Sequence, residues 1–159
     1  MTTLTRVRDV RTPPTVRVAV MVLWFLGLTA SGGGIAMALG LGMGDASWLE
    51  DIPLVPHRLL PAAVLVLVFG AGSVLTAYGI ARTPSWNWVR GVERLTGRHW
   101  SWVGTIGLGV GMILWIALQL IWLDPNALHA VYGTVGVVLI SVGLSATFRS
   151  HLQFGDPSS

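Results

Sequence analysis

Cysteine and lysine are both absent from this chain of 159 residues. Without cysteine there can be no disulfide framework, no thiolate metal site and no thiol–disulfide redox chemistry. Charged residues are also scarce, at 11% of the chain, whereas a typical soluble domain has about 25%. Hydrophobic residues make up 53%. A chain of this composition cannot cover a water-facing surface, so we expect one compact domain that lies almost entirely in a membrane.

Four apolar runs without an internal charge are each long enough to cross the hydrocarbon core, which takes about 20 helical residues. They cover roughly residues 18–43, 59–81, 102–123 and 127–148. The sequence therefore predicts an all-α fold, an integral membrane bundle of four antiparallel transmembrane helices over residues 18–148. Residues 1–17 would form a basic N-terminal tail and residues 149–159 a C-terminal tail, both cytoplasmic.

The ten basic residues, all arginines, indicate how these runs are oriented. Nine lie before the first run, between the second and third, or after the fourth, whereas Arg58 alone lies between the first and second. Because cytoplasmic loops carry the excess of arginine, we expect both termini in the cytoplasm and a multi-pass protein of the plasma (cell) membrane. Small residues at 29–31 also resemble a signal-peptide cleavage site, but the apolar run continues to Met43, which favours an uncleaved span.

The tryptophans and the loop over residues 82–101 carry signals of the membrane interface. Seven of the eight tryptophans lie near a predicted helix end or in a loop, as expected for an aromatic belt at headgroup depth. Residues 89–99 fit a short interfacial helix, with Val92 and Leu95 toward the membrane and the charged residues toward water or lipid phosphates. A solvated loop fits the same segment, and the sequence leaves both interpretations open.

Twenty glycines predict close helix packing, because small residues let transmembrane backbones approach one another. The positions expected at helix contacts are Gly32, Gly40, Gly70, Gly107, Gly111, Gly136 and Gly143. On the third predicted helix, Gly107 and Gly111 share a face with Gln119 at the 3.6-residue period. That face is therefore expected to meet a neighbouring helix.

Gln119, Tyr132 and His129 are the candidate polar contact inside the membrane. A side-chain amide facing lipid is costly, so we expect Gln119 to be buried and to bond to another helix. Tyr132 lies at a comparable depth and is one candidate partner, beside residues of the first and second helices. Such a bond would be worth about 1 kcal/mol. Alternatively, these side chains contact a ligand or ion. An unfilled polar cavity beside Gln119 would weaken the interpretation as an interhelical bond and favour a transport role.

Motifs that carry catalytic or metal chemistry are missing from the sequence. There is no nucleophile elbow, no phosphate-binding loop and no pair of carboxylates in an apolar run. The four histidines do not form a ligand set at metal spacing. We therefore expect no catalytic residue, no metal site, no cofactor and no nucleic-acid partner. The expected surroundings are the lipid bilayer, with a larger membrane protein or a second copy of the chain as partner.

Five short segments of the chain match a pattern that recurs in one protein family. They are Ser31-Gly32-Gly33-Gly34, Pro61-Ala62-Ala63-Val64-Leu65, Gly70-Ala71-Gly72, Trp115-Ile116-Ala117-Leu118-Gln119, and Tyr132 ahead of a glycine-rich helix. Over about residues 18–148 the chain thereby resembles an uncharacterised family of small four-helix transmembrane proteins of actinobacteria. The resemblance implies the four-helix membrane fold and says nothing about chemistry.

Three functions from different classes fit these observations. The first is a non-enzymatic accessory or scaffold subunit that packs against a larger membrane protein or lipid assembly. The second is a small transporter or channel component with a polar path at Gln119, His129 and Tyr132. The third is a membrane enzyme that acts on lipid at the outer face through His57, Asp51 or His129. The dense small-residue surfaces and the missing catalytic set favour the first.

Overall fold

The computed structural model of the protein describes residues 12–41, 59–121 and 123–153. In this part of the chain the regular secondary structure is entirely helical. The helices are α1 (Pro14–Leu39), α2 (Leu59–Ala63), α3 (Gly72–Arg82), α4 (Arg90–Thr96), α5 (Trp100–Gln119), α6 (Ala127–Leu144) and α7 (Ala146–His151), with a π-helical segment over Val64–Ala71 and a 3₁₀ turn over Asn87–Val89.

Four helical stretches are long and apolar enough to cross a membrane, which confirms the all-α class and the number of candidate spans. They are Pro14–Leu39, Leu59–Arg82, Trp100–Gln119 and Ala127–Leu144, and the second runs without a break through α2, the π-helical segment and α3. Many large apolar side chains on these stretches are exposed, including Met21, Leu67 and Leu114 at 63%, 66% and 64%. Such an apolar outer surface suits lipid rather than water.

Local sequence explains where the long helices begin and end. Pro14 opens α1, because its fixed φ and missing N–H suit the first turn. Gly40 ends α1 in the left-handed conformation, with a φ of 70°. The Asn126 side chain caps α6 by accepting hydrogen bonds from the backbone N–H groups of Leu128 and His129. Asn126 therefore sets where α6 begins.

The fourth apolar run, predicted over residues 127–148, forms two helices rather than one. Ser145 has an extended backbone, with a ψ of 141°, and its hydroxyl accepts a hydrogen bond from the Phe148 N–H. It therefore ends α6 and caps α7. This break allows Phe148 and Leu152 to be buried, at 0% and 2% exposure, in the same apolar cluster as Val16 of α1.

α1 and the second span approach one another at glycines. A Cβ on Gly34 would lie 2.8 Å from the carbonyl oxygen of Ala62, and one on Gly27 would lie 3.3 Å from that of Gly70. Gly70, one of the positions predicted at a contact, itself lies against Ser31. A side chain at Gly34 would therefore force the two helices apart.

α5 and α6 approach one another closely at Gly109 and Gly136. A Cβ added to Gly109 would lie 2.9 Å from the carbonyl oxygen of Gly136, and one added to Gly136 would lie 3.0 Å from that of Gly109. Nearer the start of α5, Gly143 packs against Ile106. The Trp102 Nε1–H donates a hydrogen bond of 2.8 Å to the Gly143 carbonyl oxygen. Gly136 and Gly143, two of the glycines predicted at helix contacts, thus lie against α5.

Other glycines predicted at helix contacts lie elsewhere in the structure. Gly32 and Gly107 face open space, with no described atom within 4 Å of an added Cβ. Gly40 ends α1 instead of packing against a neighbour. Gly111 makes only an ordinary contact, 3.6 Å from an added Cβ to the Phe69 ring. The row of glycines on the third span is therefore not its main packing surface.

The packed face of α5 is built from large apolar side chains. Leu108, Met112 and Ile116, spaced four residues apart, are buried in the core cluster. This face is rotated by about one residue, or roughly 100°, from the face that contains Gly107 and Gly111. Large side chains make many more dispersion contacts than a row of glycines does, so they face the core.

Candidate functional site

A pocket of about 650 Å³ lies between α1, α5 and α6, at the end where α5 stops and α6 begins. Its volume falls in the range of roughly 300 to 1,000 Å³ that is typical of small-molecule sites. Its apolar lining includes Ala30, Met37, Leu65, Met112, Trp115 and Ile116. Its polar lining includes Thr29, Gln119, Asn126, His129 and Tyr132. We call this site the turn-end pocket.

The turn-end pocket brings together the three side chains of the predicted polar contact. Gln119 lies in the last turn of α5, whereas His129 and Tyr132 lie in the first two turns of α6. The short link between the helices holds these turns side by side, so all three residues line the same pocket. Residues from α1, among them Thr29 and Met37, and Leu65 from the π-helical segment also line it.

His129 is fixed by the cap of α6. It is 8% exposed, and its Nδ1 accepts a hydrogen bond of 3.1 Å from the Asn126 N–H. In return, the Asn126 Oδ1 accepts bonds from the backbone N–H groups of Leu128 and His129, at 2.9 and 3.3 Å. Because Nδ1 is an acceptor, a neutral His129 ring carries its proton on Nε2. The ring therefore retains one N–H, on Nε2, that the cap does not use.

Gln119 and Tyr132 are half-buried and line the pocket without bonding to each other. Neither side chain has a hydrogen-bond partner among the described residues. The expected bond from Gln119 to a neighbouring helix is therefore not made within this part of the chain. The arrangement is instead an amide and a phenol beside an open pocket, which favours contact with a ligand.

Along α5 itself the lining changes from polar to apolar, although Leu123 and Leu128 also line the end near Gln119. Gln119 stands at the end of the helix, while the apolar lining extends back to Met112, seven residues or about 10 Å away. Trp115 is held between them by a tilted contact with the Phe69 ring, with centroids 6.1 Å apart. None of the described lining residues is Asp, Glu or Arg. The pocket therefore suits a molecule with an uncharged polar head and a hydrocarbon part.

Within the described ranges, no three His, Asp or Glu side chains converge on a common point. His57 and Asp51, two of the three residues of the enzyme hypothesis, lie outside the described residues, as do Arg58 and Trp122. His129, the third residue, takes part in the helix cap and lines the pocket.

A second buried histidine lies at the other end of α5 and was not singled out by the sequence. His99 is 4% exposed, with Nδ1 2.8 Å from the Ser101 Oγ and Nε2 3.2 Å from the Pro84 carbonyl oxygen. Its Nε2 also lies 3.8 Å from the Glu93 carboxylate, and its backbone N–H donates to the Leu152 carbonyl oxygen at 2.9 Å. His99 thus links the start of α5 to Pro84 and to Leu152, both of which are distant in sequence.

Comparison with known proteins gives no match to a family model, to a curated protein or to a solved structure. The function of the turn-end pocket is therefore inferred from its geometry, and membership of the actinobacterial family stays a prediction.

Proposed function

We propose that the chain is a multi-pass protein of the plasma membrane, an antiparallel four-helix transmembrane bundle with both termini in the cytoplasm. Four apolar helices with apolar outer surfaces support the membrane placement. The contacts of Gly143 with Ile106 and of Gly136 with Gly109 support an antiparallel α5–α6 pair, because early residues of one helix meet late residues of the other. The arginine distribution supports the orientation.

Within this bundle, the turn-end pocket binds an amphiphile whose head is uncharged and carries hydroxyl or carbonyl groups. The observation that carries this proposal is the convergence of Gln119, Tyr132 and His129 on an otherwise apolar pocket. An unpaired polar group in an apolar environment costs about 1–3 kcal/mol, so a ligand that pairs with these side chains stabilises the bundle. The apolar lining along α5 then receives the hydrocarbon part of the ligand.

This binding role is a specific form of the accessory role. The described lining residues offer hydrogen-bond donors and acceptors, and His129, whose side chain is of the type that most often acts as a general acid or base, has its Nδ1 engaged in the cap of α6. The geometry therefore supports holding a molecule over converting it. The protein would retain the amphiphile, or present it to a larger membrane protein that packs on the apolar outer surface.

A transport role has less support from the geometry. Between Gln119 and the buried hydroxyl of Thr105, the residues that α5 buries are Leu108, Gly109, Met112 and Ile116. A path for polar solutes would need polar side chains or water along that stretch. The polar lining of the pocket lies instead at one end of α5, which suits a molecule that enters from that end or from the lipid.

Analysis of the molecules that co-purify with the full-length protein in mild detergent tests this function. Mass spectrometry of the extract should find a defined amphiphile with an uncharged head. Tyr132→Phe removes one hydroxyl and keeps the ring, so the affinity should fall about fivefold for a hydrogen bond worth about 1 kcal/mol. Tyr78→Phe is the matched control, because Tyr78 is 48% exposed and stacks on Trp86, away from the pocket.

Two results would contradict the proposal. One is an extract that contains only bulk phospholipids in the proportions of the source membrane. The other is equal affinity of the Tyr132→Phe and Tyr78→Phe variants for the amphiphile that is found.

A further inference from the structure

The helix α4 and the 3₁₀ turn before it present an apolar face to their surroundings. Trp88, Val92 and Leu95 are 72%, 39% and 89% exposed. Their spacing of four and three residues places them on one side of the helix. This segment connects α3, which ends at Arg82, to α5, which begins at Trp100. An apolar face therefore lies where two candidate spans end.

The other sides of α4 are polar and differ from one another. Glu93 faces the body of the protein, because its Oε1 accepts a bond of 3.4 Å from the Trp100 N–H and lies 3.8 Å from the His99 Nε2. Arg90 and Arg94 are exposed and follow one another at a spacing of four residues. No described carboxylate forms an ion pair with either arginine. The one acidic group of α4 is thus held by the protein, while its two cations face outward.

The position of this segment is fixed by stacked aromatic rings. The Trp88 ring stacks on Trp86 with centroids 5.6 Å apart, and Trp86 stacks on Trp100 of α5 at 5.3 Å. The apolar face is therefore anchored to the start of a candidate span. Indole rings favour the headgroup layer of a bilayer, where one edge of the ring is wet and its body is apolar.

We propose that α4 is an interfacial helix that binds anionic phospholipids of the leaflet on its side of the membrane. Trp88, Val92 and Leu95 enter the boundary between headgroups and acyl chains, and the long side chains of Arg90 and Arg94 reach the lipid phosphates. Arginines near an anionic leaflet each strengthen the attraction about fivefold at low salt. This proposal rests on the transmembrane arrangement proposed above and is independent of the turn-end pocket.

The lack of cysteine permits a direct test of depth, because one introduced cysteine is a unique labelling site. Leu95→Cys and Arg94→Cys are labelled with an environment-sensitive fluorophore in the full-length protein, which is then reconstituted into vesicles that contain nitroxide-bearing lipids. The label at position 95 should be quenched strongly by nitroxides on the upper part of the acyl chains, and the label at position 94, which lies toward the phosphates, should be quenched much less. Equal quenching at the two positions would overturn the proposal.

A third label distinguishes a failure of the interfacial-helix proposal from a failure of the transmembrane arrangement on which it rests. Leu114, 64% exposed in the middle of α5, is changed to Cys and labelled in the same way. A Leu114→Cys label that is quenched by deep nitroxides, together with an unquenched label at position 95, would reject the interfacial helix alone. An unquenched label at position 114 would reject the transmembrane arrangement, and the interfacial helix with it.

The lipid preference is measured with spin-labelled phosphatidylglycerol and phosphatidylcholine in the same vesicles. Arg90→Gln/Arg94→Gln should lower the preference for phosphatidylglycerol by about 25-fold at low salt, at about fivefold for each arginine. Arg17→Gln/Arg149→Gln is the matched control, because it removes the same charge from exposed positions of α1 and α7. An equal loss in the two double variants would show diffuse attraction to many arginines and would overturn the assignment to α4.

Discussion

The contact between α5 and α6 can be tested with two neighbouring glycines that differ only in their surroundings. A Cβ on Gly109 would lie 2.8 Å from the Ile140 Cγ1, 2.9 Å from the Gly136 carbonyl oxygen and 3.1 Å from the Ile140 nitrogen. Two of these three atoms belong to the backbone, so they cannot move away without shifting α6. A Cβ on Gly107 meets no described atom within 4 Å.

The difference between Gly109→Ala and Gly107→Ala isolates the contact. Both changes gain the same helix propensity, about 1 kcal/mol relative to glycine, so this gain cancels. Overfilling the contact at Gly109 should cost about 1–3 kcal/mol. We therefore expect Gly107→Ala to be neutral or stabilising and Gly109→Ala to be less stable than it by about 2 kcal/mol.

Thermal unfolding of the purified protein in one detergent measures this difference. The melting temperature of Gly109→Ala should lie below that of Gly107→Ala by about 4–8 °C, at roughly 2–4 °C per kcal/mol for a chain of this size. Equal melting temperatures would mean that α6 does not meet α5 at Gly109. A lower melting temperature for Gly107→Ala than for Gly109→Ala would instead support the packing face that the glycine pattern predicts.

Three further changes test individual contacts by the same measurement. Asn126→Ala removes the side-chain cap of α6 and should cost about 1 kcal/mol. Trp102→Phe removes the hydrogen bond to the Gly143 carbonyl oxygen and should cost about 1 kcal/mol, whereas Trp88→Phe, 72% exposed, should change stability by no more than about 0.5 kcal/mol. Phe148→Ala empties the space of a fully buried ring and should cost about 3–5 kcal/mol. An unchanged melting temperature for Asn126→Ala, Trp102→Phe or Phe148→Ala would mean that the corresponding contact is not formed.

The candidate spans could be predicted from the sequence, whereas the side of each helix that packs against its neighbours could not. Length and apolar content alone locate a span, and they place all four. Gly104, Gly107, Gly109 and Gly111 occur within two turns of α5, so glycines point in several directions around the helix. Only the neighbours show that Gly109 meets α6, while Gly104 meets Thr76 and Gly107 meets nothing that is described. A single sequence does not indicate which of these glycines meets a neighbouring helix.

The break at Ser145 also has little signal in the sequence. The apolar pattern continues through Ala146 to Phe148, so hydropathy predicts one helix. The structure instead buries Phe148 and Leu152 against α1, a gain in packing that depends on a partner far along the chain. Ser145 is able to cap a helix, but a serine within an apolar run does not by itself indicate a break.

The candidate site could be predicted in part. Gln119 stands out because an amide is rare in an apolar run, and the short link to α6 predicts that Tyr132 lies at a similar depth. Those two inferences locate one wall of the turn-end pocket. The contribution of α1, through Ala30 and Met37, depends on how that helix is rotated against α5 and α6. The sequence therefore predicts the polar groups without predicting the space that they face.

Photochemical mapping of the bound amphiphile tests the proposed function most directly. A long-chain alcohol with a diazirine in its chain is added to the full-length protein in lipid nanodiscs, irradiated, and located by peptide mass spectrometry. Labelling should concentrate on residues 29–37 and 112–119, fall when excess unlabelled alcohol competes, and weaken in Tyr132→Phe. Labelling spread evenly over outward-facing side chains such as Leu67 and Leu114, without competition, would contradict a binding site in the turn-end pocket.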